Sequence, residues 1–151
     1  MKTGMRRATT RVLMVEDNPV DVDLLQLAFS QINDWPLETT VVADGEKAIQ
    51  LLQEQASNRT TQPDLVLLDL NIPRRDGTEV LQMIRSTESL NHLPVAVLSS
   101  SPRDVIQRKL TAAGVLADGH FTKPLDIDEF LELGQVLRGW YERHEEQRTR
   151  P

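Results

Sequence analysis

Three carboxylates, a hydroxyl and an ammonium stand at or just beyond the ends of apolar runs in this sequence, and together they suit phosphoryl chemistry. Glu16 and Asp17 follow Val12 to Val15, Asp69 follows Leu65 to Leu68, and Ser99 follows Pro94 to Leu98. Lys123 comes shortly after Gly119 to Phe121. Carboxylates brought together repel and raise one another's pKa unless a cation sits among them. An all-oxygen ligand set suits Mg²⁺ rather than zinc or copper, and Asn71, two residues after Asp69, can add its backbone carbonyl. Metal and ammonium neutralise phosphoryl oxygens while the Asp69 carboxylate attacks phosphorus and forms an acyl phosphate. Ser99 can hydrogen-bond a phosphoryl oxygen, and Lys123 serves as a compact point charge. Pro124 permits a cis Lys123–Pro124 bond that would set the direction of the ammonium. An acidic pair after a strand is often only a helix cap or a solvated turn. The conjunction of these residue types at separate element ends is what points to a site.

For these groups to meet, the runs must be strands whose ends converge. The runs Val12 to Val15, Leu65 to Leu68 and Pro94 to Leu98 are short and unbroken, as strands covered on both faces are. Gly119 to Phe121 is a shorter strand, and the more polar Leu37 to Val42 fits a sheet edge. Between them lie helical periods. Asn18-Pro19 is a helix start, with an N-cap Asn and Pro at the first helical position. Val20, Leu24, Leu27 and Ala28 then recur on one face, with Phe29 and Ile32 close by, and Asp34-Trp35-Pro36 ends that helix. Asp44-Gly45 opens a helix burying Ala48, Ile49, Leu51 and Leu52, and Gln55 to Gln62 reads as a loop. A helix from about Gly77 to Arg85 buries Val80, Leu81 and Ile84, after a solvated Arg74-Arg75 turn. Arg103 to Ala113 aligns Ile106, Leu110 and Ala113, with Ser100 and Ser101 as its N-cap region and Gly114 as its stop. The last helix starts at Asp126, with Glu129 at the reciprocal capping position. Strands alternating with helices imply a doubly wound α/β fold, a five-stranded parallel sheet with helices on both faces and its site at the strands' carboxyl ends. Residues 11–143 form this domain, with 1–10 and 144–151 expected as flexible termini.

Composition narrows the function classes. At 151 residues the chain fits one domain. Its net charge of −6 and lack of a basic stripe argue against nucleic-acid binding. Without cysteine there is no disulfide, thiol catalysis or cysteine metal site. His92, His120 and His144 show no zinc spacing. No signal-peptide core follows MKTGMRRATT, and no apolar run reaches the roughly 20 residues of a membrane helix. A soluble cytoplasmic protein is expected.

From Arg11 to about Trp140 the sequence resembles the receiver domains of two-component response regulators. The matching pieces are VLMVEDN, LVLLDLNIPRRDG, PVAVLSS and the Lys123-Pro124 pair. The resemblance implies strand order 2-1-3-4-5, with Asp69 as phosphoacceptor and Mg²⁺ held by Glu16, Asp17, Asp69 and the Asn71 carbonyl. It also implies Ser99 as the switch hydroxyl and Lys123 as the lysine that completes the signature. DLNIPRRDG, LSSS and the C-terminal Trp140-Tyr141 pair further resemble stand-alone receivers paired with bacterial phytochrome histidine kinases. Two departures stand out. The family's switch aromatic, three residues before the lysine, is His120 here, and the aromatic often found after Lys-Pro is Leu125. His120 is read as a partly buried packing residue whose charge could make the switch pH-sensitive.

The last helix carries two apolar stripes. Ile127, Phe130, Leu131, Leu137 and Tyr141 suit a core, while Leu133, Val136 and Trp140 suggest a partner surface, hence a homodimer through this helix and the fifth strand. Equally, the stripes could be one wide core stripe with Trp140 folded onto its own domain. The expected role is a signalling module that takes its phosphoryl group from a histidine kinase and signals through protein contacts. It would catalyse at most its own phosphorylation and dephosphorylation. The chain ends soon after the last helix, so no DNA-binding output domain is expected. Three rivals are weaker. A haloacid-dehalogenase-type phosphatase would have a second Asp where Asn71 stands. A receiver-like scaffold without phosphorylation would tolerate a degenerate pocket. A flavodoxin-like cofactor binder would need a phosphate loop after the first strand.

Overall fold

The structure is a computed structural model and describes residues 9–148. Among the described residues five strands and five helices alternate: β1 (Thr10–Val15), α1 (Pro19–Ser30), β2 (Leu37–Val42), α2 (Gly45–Gln55), β3 (Leu65–Asp69), α3 (Gly77–Ser86), β4 (Val95–Ser99), α4 (Arg103–Ala113), β5 (Gly119–Thr122) and α5 (Ile127–Arg148). The sheet is parallel throughout, ordered β2-β1-β3-β4-β5, as expected. Every residue of β3 and β4 is buried, which explains their unbroken apolar runs, while β2 alternates at the edge. Because strand side chains alternate between faces, the core divides in two. Leu13, Val15, Val66, Leu68, Val95 and Val97 pack under α2, α3 and α4. Val12, Met14, Leu65, Leu67, Ala96 and Leu98 pack under α1 and α5.

Local chemistry sets the helix starts beside the site. The Asn18 side chain accepts the Val20 and Asp21 N–H groups with Pro19 at the first helical position. Asp44 caps α2, and Asp76 with Glu79 forms a full capping box on α3. Between β3 and α3 the chain turns through Arg74 and Arg75, both exposed and both left-handed (φ 54° and 74°). Backbone bonds from Gly45 N–H to the Pro73 carbonyl and from Glu46 N–H to the Arg74 carbonyl hold that turn. The close approach requires glycine: a Cβ on Gly45 would overlap the Arg75 carbonyl, and one on Gly77 would lie 2.5 Å from the Asp69 carbonyl oxygen.

Several expectations are corrected. On α1 the buried residues are Leu25, Ala28 and Phe29, whereas Val20 (62% exposed) and Leu27 (43%) face outward. The helix is turned so that Ala28 meets Gly134 of α5, where a Cβ would come within 3.0 Å of the Ala28 Cβ. On α5, Leu133 is buried in the core and Trp140 folds onto its own domain, edge-on to Phe121 (centroids 5.6 Å apart) and against Gly119. Of the second stripe, Val136 alone is exposed (50%), while Ile127 from the first stripe is also exposed. Pro102, not Ser100 or Ser101, occupies the N-cap of α4, without a side-chain cap. Gly114 ends α4 in the left-handed conformation, as expected. α5 runs to Arg148, into the stretch expected as a tail. Residues 1–8 and 149–151, including most of the expected N-terminal segment, lie outside the described residues.

Candidate functional site

The site forms where β1, β3, β4 and β5 end. β3 and β4 each run one residue past their apolar stretch, so Asp69 and Ser99 are their last residues. Asp69 pairs in register with Leu98, which places Ser99 one step further along the neighbouring strand. β1 hands over to Glu16, whose N–H donates to the Val42 carbonyl and keeps the backbone in sheet geometry. The Lys123 N–H donates to the Ser99 carbonyl and does the same beyond β5.

Lys123 closes the arrangement. Its ammonium donates to Glu16 Oε1 at 2.7 Å, to Asp69 Oδ2 at 2.9 Å and to Asp21 Oδ2 at 2.9 Å. The second oxygens are also held: Asn18 N–H donates to Glu16 Oε2 (3.2 Å), and Asn71 N–H donates to Asp69 Oδ1 (2.9 Å). Glu16 and Asp69 are buried, while Asp17 reaches toward solvent. Burial, and secondarily the Asp69 charge, push the Glu16 carboxyl up to about 7 against the opposing pull of Lys123. Burial alone would lower the Lys123 ammonium, but its bonds to Glu16, Asp69 and Asp21 raise it above the usual lysine range.

One ammonium therefore faces more carboxylate charge than it can neutralise. Glu16, Asp17 and Asp69 each offer an oxygen within 4.8 Å of the others. That is a hard, all-oxygen donor set open on the Asp17 side, and it fits a Mg²⁺-class cation.

Ser99 is fully buried, and its hydroxyl oxygen accepts the Ser101 N–H at 3.1 Å. Asn71 stands at the rim, where its side chain reaches Ser101 Oγ (3.5 Å) and receives the Lys109 ammonium (3.4 Å). His120 lies opposite Val97 in the register. It is half-buried with both ring nitrogens enclosed and unpartnered, as suits a packing residue. Burial, with the nearby Arg103 charge, lowers its pKa. The Lys123–Pro124 bond is trans, since no cis bond occurs among the described residues; the ammonium's direction comes from its carboxylate partners instead.

Sequence reasoning brought Glu16, Asp17, Asp69, Ser99 and Lys123 to one place and missed two residues there. Asp21 is the third residue of the capped helix that follows the Glu16-Asp17 pair, and an acidic residue in that first turn was the available signal. Lys109 had no sequence signal, since it reaches the rim only because α4 packs beside the loop after β3.

Comparison with known proteins agrees with this geometry. Residues 12–134 match the response regulator receiver domain. Over 133 residues the chain is 40% identical to response regulator Rcp1 of Synechocystis sp., covering 86% of this chain and 87% of that protein. Among solved structures, the phosphorylated cyanobacterial phytochrome response regulator RcpA superposes with a TM-score of 0.76 at 32% identity, over 89% of this chain and 94% of that one. The Mn²⁺-bound form of Rcp1 gives 0.73 at 28% identity, over 87% and 94%. The resemblance to phytochrome-associated regulators read from DLNIPRRDG, LSSS and Trp140-Tyr141 is thus borne out. With its doubly wound sheet and its acidic site at the strand ends, this chain belongs to the response-regulator receiver domain family.

Proposed function

We propose that Asp69 is the phosphoacceptor of this two-component response regulator. An Asp69 carboxylate oxygen forms a new bond to phosphorus as the phosphorus–nitrogen bond of a kinase phosphohistidine breaks, the electron pair leaving with the nitrogen. Lys123 holds its charge against the incoming phosphoryl oxygens, and Ser99 hydrogen-bonds one of them after transfer. Glu16, Asp17, Asp69 and the Asn71 carbonyl are the ligands for Mg²⁺, which when bound neutralises charge on the transferring group. The observation that carries this reading is the Lys123 ammonium 2.9 Å from Asp69 Oδ2, beside three carboxylates converging within 4.8 Å. The phosphoryl donor is a sensor histidine kinase, of the phytochrome type given the named relatives, and the setting is the cytoplasm. No helix among the described residues is long and apolar enough to cross a membrane. The chain works as a signalling module whose chemistry is confined to its own acyl phosphate.

Intact mass after incubation with acetyl phosphate and Mg²⁺ tests this reading. Wild type gains one phosphoryl group, Asp69→Asn gains none, and a chelator abolishes the adduct; equal labelling of both proteins would refute the assignment.

Self-association through α5 and β5 now rests on Val136, the exposed member of its stripe. Sedimentation of Val136→Glu should show a monomer where wild type shows a dimer, and an unchanged mass removes the idea. Trp140→Glu would instead disrupt the packing against Phe121.

A further inference from the structure

We propose that Asp21 is a positioning residue for phosphoryl transfer, the carboxylate that anchors Lys123 without itself being a phosphoacceptor or a metal ligand. This rests on the reading of Asp69 and Lys123 above. An ammonium has three protons to donate, and in this structure all three have carboxylate acceptors, Glu16, Asp69 and Asp21, at 2.7 to 2.9 Å. Two of those acceptors have other duties. The Asp69 carboxylate loses its negative charge when one of its oxygens becomes the bridging oxygen of the acyl phosphate, a mixed anhydride, and both Glu16 and Asp69 belong to the candidate metal-ligand set. Asp21 has neither duty.

Its placement is built. The Asp21 N–H donates to the Asn18 side chain at 3.3 Å, which fixes the first turn of α1. Its carboxylate crosses 102 residues of sequence to reach Lys123, and both side chains are largely enclosed (18% and 12% exposed). An acidic residue in a first helical turn is stabilised by the helix dipole wherever it points. That general preference does not require a 2.9 Å bond to a lysine beyond β5. With one proton held by Asp21, the other two point at Glu16 and Asp69, the side from which phosphoryl oxygens must approach. The lysine stem is flexible, so without Asp21 its ammonium has no partner that persists once Glu16 and Asp69 are engaged.

The test follows the lysine directly. In full-length protein labelled with ¹⁵N-lysine, the Lys123 ammonium resonance, identified by its loss in Lys123→Arg, is recorded with and without saturating Mg²⁺. Wild type is expected to retain a slowly exchanging signal in both states. Asp21→Asn, nearly isosteric, is expected to retain it metal-free and lose it in Mg²⁺. Phosphorylation by acetyl phosphate should slow about tenfold in Asp21→Ala, the loss of one charge-assisted hydrogen bond, and less in Asp21→Asn. If Asp21→Ala does not fold, Asp21→Asn decides. A resonance that survives Mg²⁺ in Asp21→Asn, or a rate within about twofold of wild type in every folded variant, overturns the proposal. A wild-type chain that takes no phosphoryl group yet shows the expected resonances would refute the phosphoacceptor reading and leave the anchor standing.

Discussion

Two ion-pair clusters occupy opposite ends of the same sheet. At the amino ends of β4 and β5, Arg85 donates to the Leu116, Asn91 and Leu93 carbonyls and pairs with Asp118 at 2.7 Å. The same Asp118 oxygen accepts the Val95 N–H at 2.8 Å. The guanidinium meets one carboxylate, whose other oxygen lies 3.4 Å from His144 Nε2 of α5, and neutral carbonyls take up the remaining guanidinium donors. At the carboxyl ends, Lys123 meets three carboxylates with Asp17 beside them. The first cluster is balanced and ties α3 to the sheet. The second carries surplus negative charge, which a further cation or a proton on Glu16 relieves. A polar cluster that is complete within the chain is structural, and one left incomplete marks where a ligand belongs.

Substitutions can break this contrast. Glu16→Gln should weaken Mg²⁺ binding about a hundredfold by titration calorimetry, equivalent to about 2.7 kcal/mol. A loss under about twofold would mean that the surplus charge is not what recruits the metal. Arg85→Ala should cost about 2 kcal/mol in urea unfolding, since both partners are partly exposed and the full buried-pair penalty does not apply. It should leave Mg²⁺ affinity and phosphorylation unchanged; a change in either would show that the two clusters are coupled. The smallest effect is in the pH profile of metal-free protein. Glu16 sits near 7 when folded against an ordinary 4.5, so the folded state keeps a proton that the unfolded chain releases between those values. The stability this confers is complete below pH 4.5 and is lost as pH rises through about 7. Wild type should therefore lose urea resistance relative to Glu16→Gln on going from about pH 5 to about pH 8. Parallel profiles would place the Glu16 titration elsewhere.

Much of the fold was legible because its signals are local. Central strands buried on both faces read as continuous apolar runs, and Asn18-Pro19, Asp44 and Gly114 mark helix boundaries by their own backbone chemistry. Helix faces were less legible. Val20 and Leu27 match a helical stripe as well as Leu25 and Ala28 do, and only the notch at Gly134 shows which way α1 is turned. Similarly, Trp140 suits a partner surface as well as its own domain until β5 supplies Phe121 and Gly119 as the surface for the indole, and Leu133 joins the core beside Phe130 and Leu137.

By itself the sequence determined the doubly wound class, the helix boundaries at Asn18, Asp44 and Gly114, and which carboxylates, hydroxyl and lysine stand at or just beyond the strand ends. Those depend on side-chain period and on residues within one turn of each other. Tertiary structure alone decided the orientation of α1, the burial of Leu133, the docking of Trp140 against β5, and the membership of Asp21 and Lys109 in the site. It also decided that Lys123 is aimed by three carboxylates on a trans Lys123–Pro124 bond. Each of these depends on distances between elements far apart in the chain, which packing sets and local sequence does not encode.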